Sequence, residues 1–238
     1  MKNIHLFLFL FFLLIFTSCS NTSVVDSLYF DTCFMDYNTP ADLTRALDKT
    51  SKELDIEKPS TTFMSIAGCL NYQLGNYELA EQWLIRAFKE SKDSDKKSIA
   101  ASALGIIYLK EFKKAKIKPY IPYTRSHWLG RWMLILYHID NYRESGYTEH
   151  LRSAIIQMEE KYSIEGEQGK TSATDRLLKH MRLISEKEDL CASDPTDCGI
   201  EELNDEKRYL FSFSHGYLDM ILKKPPFNKK TSSLASSE

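Results

Sequence analysis

Gly75-Asn76 stands between two runs in which apolar residues recur every three or four positions. Upstream lie Phe63, Ile66, Ala67, Leu70 and Leu74; downstream lie Leu79, Ala80, Trp83, Leu84, Ala87 and Phe88. That spacing predicts two amphipathic helices broken by a turn. A turn this short leaves them only one arrangement, an antiparallel αα-hairpin. Gly68, Ala80 and Ala87 are small enough to let the two axes approach, and Tyr77 fills the space beside the turn. A single hairpin cannot bury its own apolar face, so the chain has to supply further helices for it to stack on.

The rest of the sequence offers them. Thr39-Pro40 opens a helix running to about Leu54, with Thr as cap, Pro at the first position and Asp42 near the positive end. Lys58-Pro59-Ser60 interrupts it, and Ser60 or Thr61 caps the next. Further helices are expected over 123–140, 148–162, 172–190 and 200–223, with Leu151, Ile155, Ile156 and Met158 buried in the second of these. Lys224-Pro225-Pro226 stops the last, and the 224–238 tail is rich in Lys and Ser. No strand alternation is evident. The expectation is an all-α fold of about eight helices stacked as antiparallel hairpins, spanning residues 39–223.

The hairpin resembles a tetratricopeptide repeat. Ala67-Gly68, Tyr72, Gly75, Asn76-Tyr77, Ala80, Leu84 and Ala87 fall on that family's small and aromatic positions, while Met64 and the lack of a closing Pro near Lys92 depart from it. Thirty-five residues on, in IAASALGIIYLKEFKKAK, Ala103, Phe112 and Ala115 occupy the places of Gly68, Tyr77 and Ala80, and Lys110 replaces the turn glycine. Pro119 and Pro122 then interrupt the second helix of this degenerate copy. The resemblance covers about residues 60–118 and implies a tetratricopeptide-like α-solenoid that binds a protein.

The N-terminus carries a second resemblance. Lys2 precedes an 11-residue apolar run, Leu6 to Phe16, and then Phe16-Thr17-Ser18-Cys19. The run is shorter than the roughly 20 residues needed to cross a bilayer and reads as a secretory signal over residues 1–18. Its end resembles a bacterial lipobox, with Phe16 where Leu is usual. The resemblance implies that Cys19 is lipidated, with acyl chains on its thiol and on its new amine. Ser20 after the cysteine suggests the outer membrane, with the protein facing the periplasm or the cell surface and residues 19–38 as tether. Removal of residues 1–18 leaves 30 basic against 33 acidic residues, a net charge of −3, which gives no nucleic-acid footprint.

Four more cysteines follow: Cys33, Cys69, Cys191 and Cys198. An even count in an exported chain suggests disulfides. The turn-rich stretch from Cys191 to Cys198 can close on itself, which would leave Cys33 for Cys69. The alternative, a metal site of Cys and His, has no CxxC spacing behind it.

No HExxH, GxSxG or phosphate-cradling glycine loop is present, so no catalytic, metal or cofactor site is expected. The histidines of the mature chain (127, 138, 150, 180 and 215) are scattered, although His138 and His150 flank a turn and could approach. The densest stretch is 119–142, where Tyr120, Tyr123, Trp128, Trp132, Tyr137 and Tyr142 are interleaved with Arg125 and Arg131. Aromatics and arginine are what binding hot spots use. Trp128 and Trp132, at i and i+4, also read as a core ridge. Tyr120, Tyr123 and Arg125, beside two prolines, suit a binding patch as well as packing.

The function expected is a lipid-anchored scaffold or adaptor. It would reach the membrane through its lipid and hold an envelope protein, in assembly or stability of a secretion system, pilus or outer-membrane complex. The alternatives are a peptidoglycan-binding or peptidoglycan-hydrolysing protein, with Glu144 or Glu149 as its acid, and a periplasmic immunity or inhibitor lipoprotein.

Overall fold

The computed structural model describes residues 40–55, 59–125, 127–166, 170–194 and 199–222. The expected signal and tether, with Cys19 and Cys33, and also Cys198 and the C-terminal tail, lie outside the described residues. Eight α-helices are described: α1 Pro40–Leu54, α2 Thr61–Gln73, α3 Tyr77–Glu90, α4 Ser94–Lys110, α5 Trp128–Ser145, α6 Thr148–Glu165, α7 Ser172–Ser193 and α8 Ile200–Leu222. No strand occurs among the described residues, and no helix there is long and apolar enough to cross a membrane. Each helix packs against the next in sequence, so the fold is all-α and built like a helical repeat.

The local signals explain the boundaries. The Ser60 hydroxyl caps α2 by accepting from the Thr62 N–H at 3.2 Å. At the other end of α2, the Gly75 N–H donates to the Tyr72 carbonyl and the Asn76 N–H to the Asn71 carbonyl. This is a Schellman turn, with Gly75 in the left-handed region at φ +81°. Asp93 caps α4, accepting from the N–H groups of Asp95 and Lys96. Helix α5 starts at Trp128 rather than Tyr123, because 3-10 turns over Lys114–Lys116 and Ile121–Tyr123 occupy the stretch that holds Pro119 and Pro122.

The turn after α4 repeats the turn after α2, two residues later than the sequence register placed it. There the Phe112 N–H donates to the Leu109 carbonyl and the Lys113 N–H to the Tyr108 carbonyl. Phe112 therefore takes the left-handed place of Gly75, at φ +57°. Helix α4 is 17 residues long against 13 for α2, which is why Lys110 does not replace the turn glycine. Gly105 now matches Gly68. A Cβ on Gly68 would lie 2.5 Å from Leu84 Cγ, and one on Gly105 2.7 Å from Met133 Cγ.

Two helices are less amphipathic than expected. Apart from Phe63, every residue from Thr62 to Gln73 in α2 is buried, as is every residue from Ser98 to Leu109 in α4. Helix α2 is enclosed by α1, α3 and α4, and α4 by α2, α3, α5, α8 and the 3-10 turns. Their polar residues are small and bond back onto their own helix: Asn71 Nδ2 to the Ala67 carbonyl at 2.8 Å, and Ser102 Oγ to the Ser98 carbonyl at 2.6 Å. In α3 only Ala80, Leu84 and Ala87 are buried, and Leu79 is exposed. In α6, Ile156 is exposed where burial was expected, and Lys161 joins Leu151, Ala154 and Met158 inside.

The last helix does not simply extend the stack. It packs on α7 and also returns to α4 and α5. Leu203, Leu210 and Leu218 are buried in this contact, and the Tyr142 and Phe211 rings lie 5.9 Å apart.

Two substitutions should move stability in opposite directions. A Cβ at Gly130 would sit 1.8 Å from the Thr124 carbonyl oxygen and 2.5 Å from Ser102 Oγ. Backbone cannot easily yield there, so Gly130→Ala should cost at least about 3 kcal/mol, at or beyond the upper end of ordinary overpacking losses. Phe112 is 68% exposed and carries the left-handed penalty of about 1 kcal/mol. Phe112→Gly should therefore raise the urea midpoint. Equilibrium denaturation of both variants checks the two signs.

Candidate functional site

The expected binding patch, Tyr120, Tyr123, Arg125, Trp128, Arg131 and Trp132, divides into two groups with different surroundings. Helix α5 turns the face bearing Arg131 and Trp132 inward, towards α6 and α8. Trp132 is 4% exposed, and its ring lies 4.1 Å from that of Tyr217 on α8. Arg131 is 9% exposed; its Nε and Nη2 donate to Glu165 Oε1 at 3.0 and 2.7 Å, and its Nη1 to the Arg125 carbonyl at 3.3 Å. Trp128 is half-buried against the core. The core-ridge reading of the tryptophans is the one the geometry favours, and Arg131 is a structural cation rather than a surface contact.

A buried ion cluster surrounds this ridge. Lys161, almost fully buried, donates to Glu165 Oε2 at 2.8 Å, and its ammonium lies 5.3 Å from the Trp132 ring and 5.5 Å from that of Tyr162. Burial alone would raise the Glu165 pKa, but the hydrogen bonds and charges of Lys161 and Arg131 outweigh it and hold the carboxyl below its ordinary value. Beside them His127 caps α5, its Nδ1 accepting from the Leu129 N–H at 3.3 Å. Burial, with the Arg131 charge second, pushes the His127 pKa down to about 4.

Tyr120, Tyr123 and Arg125 sit elsewhere, on the 3-10 turns where these cross the α3–α4 corner. The Phe88 ring meets Tyr120 and Tyr123 edge-on at 5.1 and 5.0 Å. The Lys97 ammonium lies 5.0 Å from the Phe88 ring and 5.1 Å from the Tyr123 ring. Next to this cluster opens a cavity of about 650 Å³, whose wall is shared by Ser91, Lys92, Lys97, Tyr123 and Arg125. Sequence reading missed Ser91, Lys92 and Lys97. Lys92 and Lys97 belong to KESKDSDKK, whose mixed signs single out no residue.

The remaining candidates are placed as follows. Tyr72 is buried on α2 with its ring 5.2 Å from that of Tyr77, which is 43% exposed at the start of α3. Gly68 faces Leu84 and the Ala80 carbonyl, and Ala87 is buried beside Met64 and Ala100. Cys69, fully buried on α2, and Cys191, in the last turn of α7, are each disulfide-bonded. The His138 and His150 rings do approach, at 6.4 Å, and burial followed by the His150 charge lowers the His138 pKa. Among the described residues no group of three or more His, Cys, Asp or Glu is placed to hold a metal ion. Glu144 pairs with Lys114 near the end of α5, and Glu149 with Arg152 in the first turn of α6. Both acids are exposed, and α5 places them roughly 25 Å along its axis from the Tyr123 cluster, at ~1.5 Å per residue.

The ion cluster and the cap each give a test. Glu165→Gln would leave Arg131 and Lys161 without their shared carboxylate. The loss should be about 2–3 kcal/mol, below the ~3–5 of a fully buried pair because Glu165 keeps some exposure. Lys161→Met, which leaves the Arg131–Glu165 contact intact, should cost less; urea unfolding of both measures the difference. For His127, the folded pKa lies below the unfolded one, so the unfolded chain binds more protons as the pH falls. The stability tied to neutral His127 is complete above about pH 6.5 and is lost progressively towards pH 4. His127→Asn keeps a capping side chain and removes the titration. It should flatten the decline in urea midpoint across that window while changing the pH 7 value by less than about 1 kcal/mol.

No family model matches the chain, and neither the curated proteins nor the solved structures contain one with significant similarity to it.

Proposed function

We propose that this protein is a lipid-anchored adaptor of the bacterial envelope, held by Cys19 and binding a protein partner through its helical stack. The observation that carries the reading is the chain of helices packed neighbour on neighbour, an architecture that offers an extended surface rather than one enclosed pocket. The lipobox-like Phe16-Thr17-Ser18-Cys19 supports the anchor. Two or three acyl chains, at roughly 0.8 kcal/mol per buried CH₂, hold a protein to a bilayer durably.

Any groove that the helices of residues 60–142 form is partly closed by α8, which packs on α4 and α5. The accessible part of the expected patch is the corner bearing Tyr123 and Arg125. A partner would meet the protein there, on rigid aromatics braced by Phe88.

A photoreactive residue introduced at Tyr123 in intact cells should capture one envelope protein, and the same residue at exposed Arg208 on α8 should not. Capture of export machinery alone from Tyr123 would overturn the adaptor reading. Cys19→Ser should yield an unprocessed or mislocalised chain. Unchanged mass and unchanged membrane association would refute the lipid anchor.

A further inference from the structure

Three cations line the cavity beside Tyr123: Lys92 in the α3–α4 turn, Lys97 in the first turns of α4, and Arg125 after the second 3-10 turn. Lys92 and Lys97 belong to one stretch of chain, and the fold brings Arg125 beside them from the segment after the second 3-10 turn. Among the described residues, neither Lys92 nor Arg125 has a carboxylate partner. Lys97 is held over the Phe88 and Tyr123 rings, which leaves its charge at the cavity wall without an acid to neutralise it. Two acids of the same stretch have partners of their own. Asp93 accepts from the N–H groups of Asp95 and Lys96 at 2.8 and 3.0 Å, and Glu90 pairs with Arg86 at 2.6 Å. Asp93, whose cap bonds come from neutral N–H groups and leave its charge in place, and Asp95 in the first turn of α4 are the exposed acids beside the cavity that a negative ligand would have to avoid.

The walls between the cations are not uniformly charged. Pro122 and Tyr123 supply apolar and aromatic lining, and Ser91 and Ser94 small polar lining. At about 650 Å³ the space falls within the roughly 300–1,000 Å³ range of sites that enclose drug-sized ligands, far more than one small anion fills. Three cations lining a space of this size, with an aromatic ring among them, suit several carboxylates on a peptide better than one phosphate.

We infer that this cavity seats a carboxylate-rich peptide segment of the protein partner, with Lys92, Lys97 and Arg125 each facing an acidic side chain and Tyr123 packing against the peptide between them. The inference rests on the adaptor reading above and names the chemistry of what the adaptor holds. It also places the site at the α3–α4 corner, away from the surface that α8 covers. Electrostatic complementarity of this kind sets specificity and encounter rate, so binding weakens as salt rises.

The test uses the full chain purified in detergent and a fluorescein-labelled decapeptide of Glu with a central Tyr, followed by anisotropy. Its partners in the assay are the same peptide with Gln for Glu, inorganic phosphate as competitor, and phosphatidylglycerol vesicles. Binding of the Glu peptide at least tenfold tighter than the Gln peptide, weakened at least tenfold by Lys92→Glu with Arg125→Glu, supports the site. Both positions are exposed, and an unchanged urea midpoint shows that the double variant is folded. Equal binding of the Glu and Gln peptides, no effect of the double variant, or tighter binding to phosphate or vesicles than to the Glu peptide would each overturn it. Photocapture at Tyr123, repeated in the double variant, separates the two claims. Capture that persists there keeps the adaptor and removes the acidic segment. Capture that is lost from the variant alone supports both.

Discussion

The burial of α4 on every side is the constraint on which the remaining structure depends. From Ser98 to Leu109 no residue faces solvent, so each flank of this helix needs a cover. Helices α2 and α3 cover one part, the 3-10 turns another, and α5 and α8 the rest. Close approach is obtained by leaving out side-chain atoms: Gly105 admits Met133, and Gly130 admits the Thr124 carbonyl and the Ser102 hydroxyl. A helix enclosed in this way has no polar face to display, and its serines bond to their own backbone instead.

That enclosure also explains what could be read in the sequence and what could not. The turn at Gly75, the cap at Ser60 and the stop before Pro119 are local chemistry, and the structure follows them within a few residues. The number of helices follows from the same signals. The register of the second copy does not, because the turn after α4 falls two residues later than the spacing implied. The turn was set by a Schellman pattern at Phe112, a residue that carries no sequence signal for left-handed geometry. Burial of Lys161 was equally hidden. A lysine four residues before a glutamate reads as a surface pair until Trp132 and Arg131 arrive from another helix.

The expected binding patch shows the same limit from the other side. Contiguity in sequence grouped six aromatic and basic residues, but the break between the 3-10 turn and α5 sends them to different environments. Arg131 and Trp132 enter a cluster of buried charge with Lys161 and Glu165, while Tyr123 and Arg125 stay at the surface beside Lys92 and Lys97. The first set supports the fold through a shared carboxylate. The second keeps cations that form no ion pair among the described residues. Composition could count these residues, and only the packing of α3, α4 and the 3-10 turns could sort them.

The return of α8 to α4 and α5 has a consequence for how the chain acquires its structure. In a linear array each unit touches only its neighbours, so folding can begin anywhere and ends can fray one unit at a time. Here residues near 210 close over helices that end at 110 and 145. The covering of α4 is therefore a contact of long sequence separation, which slows folding and ties the last helix to the first half of the chain. That coupling favours loss of the described helices together over fraying one unit at a time.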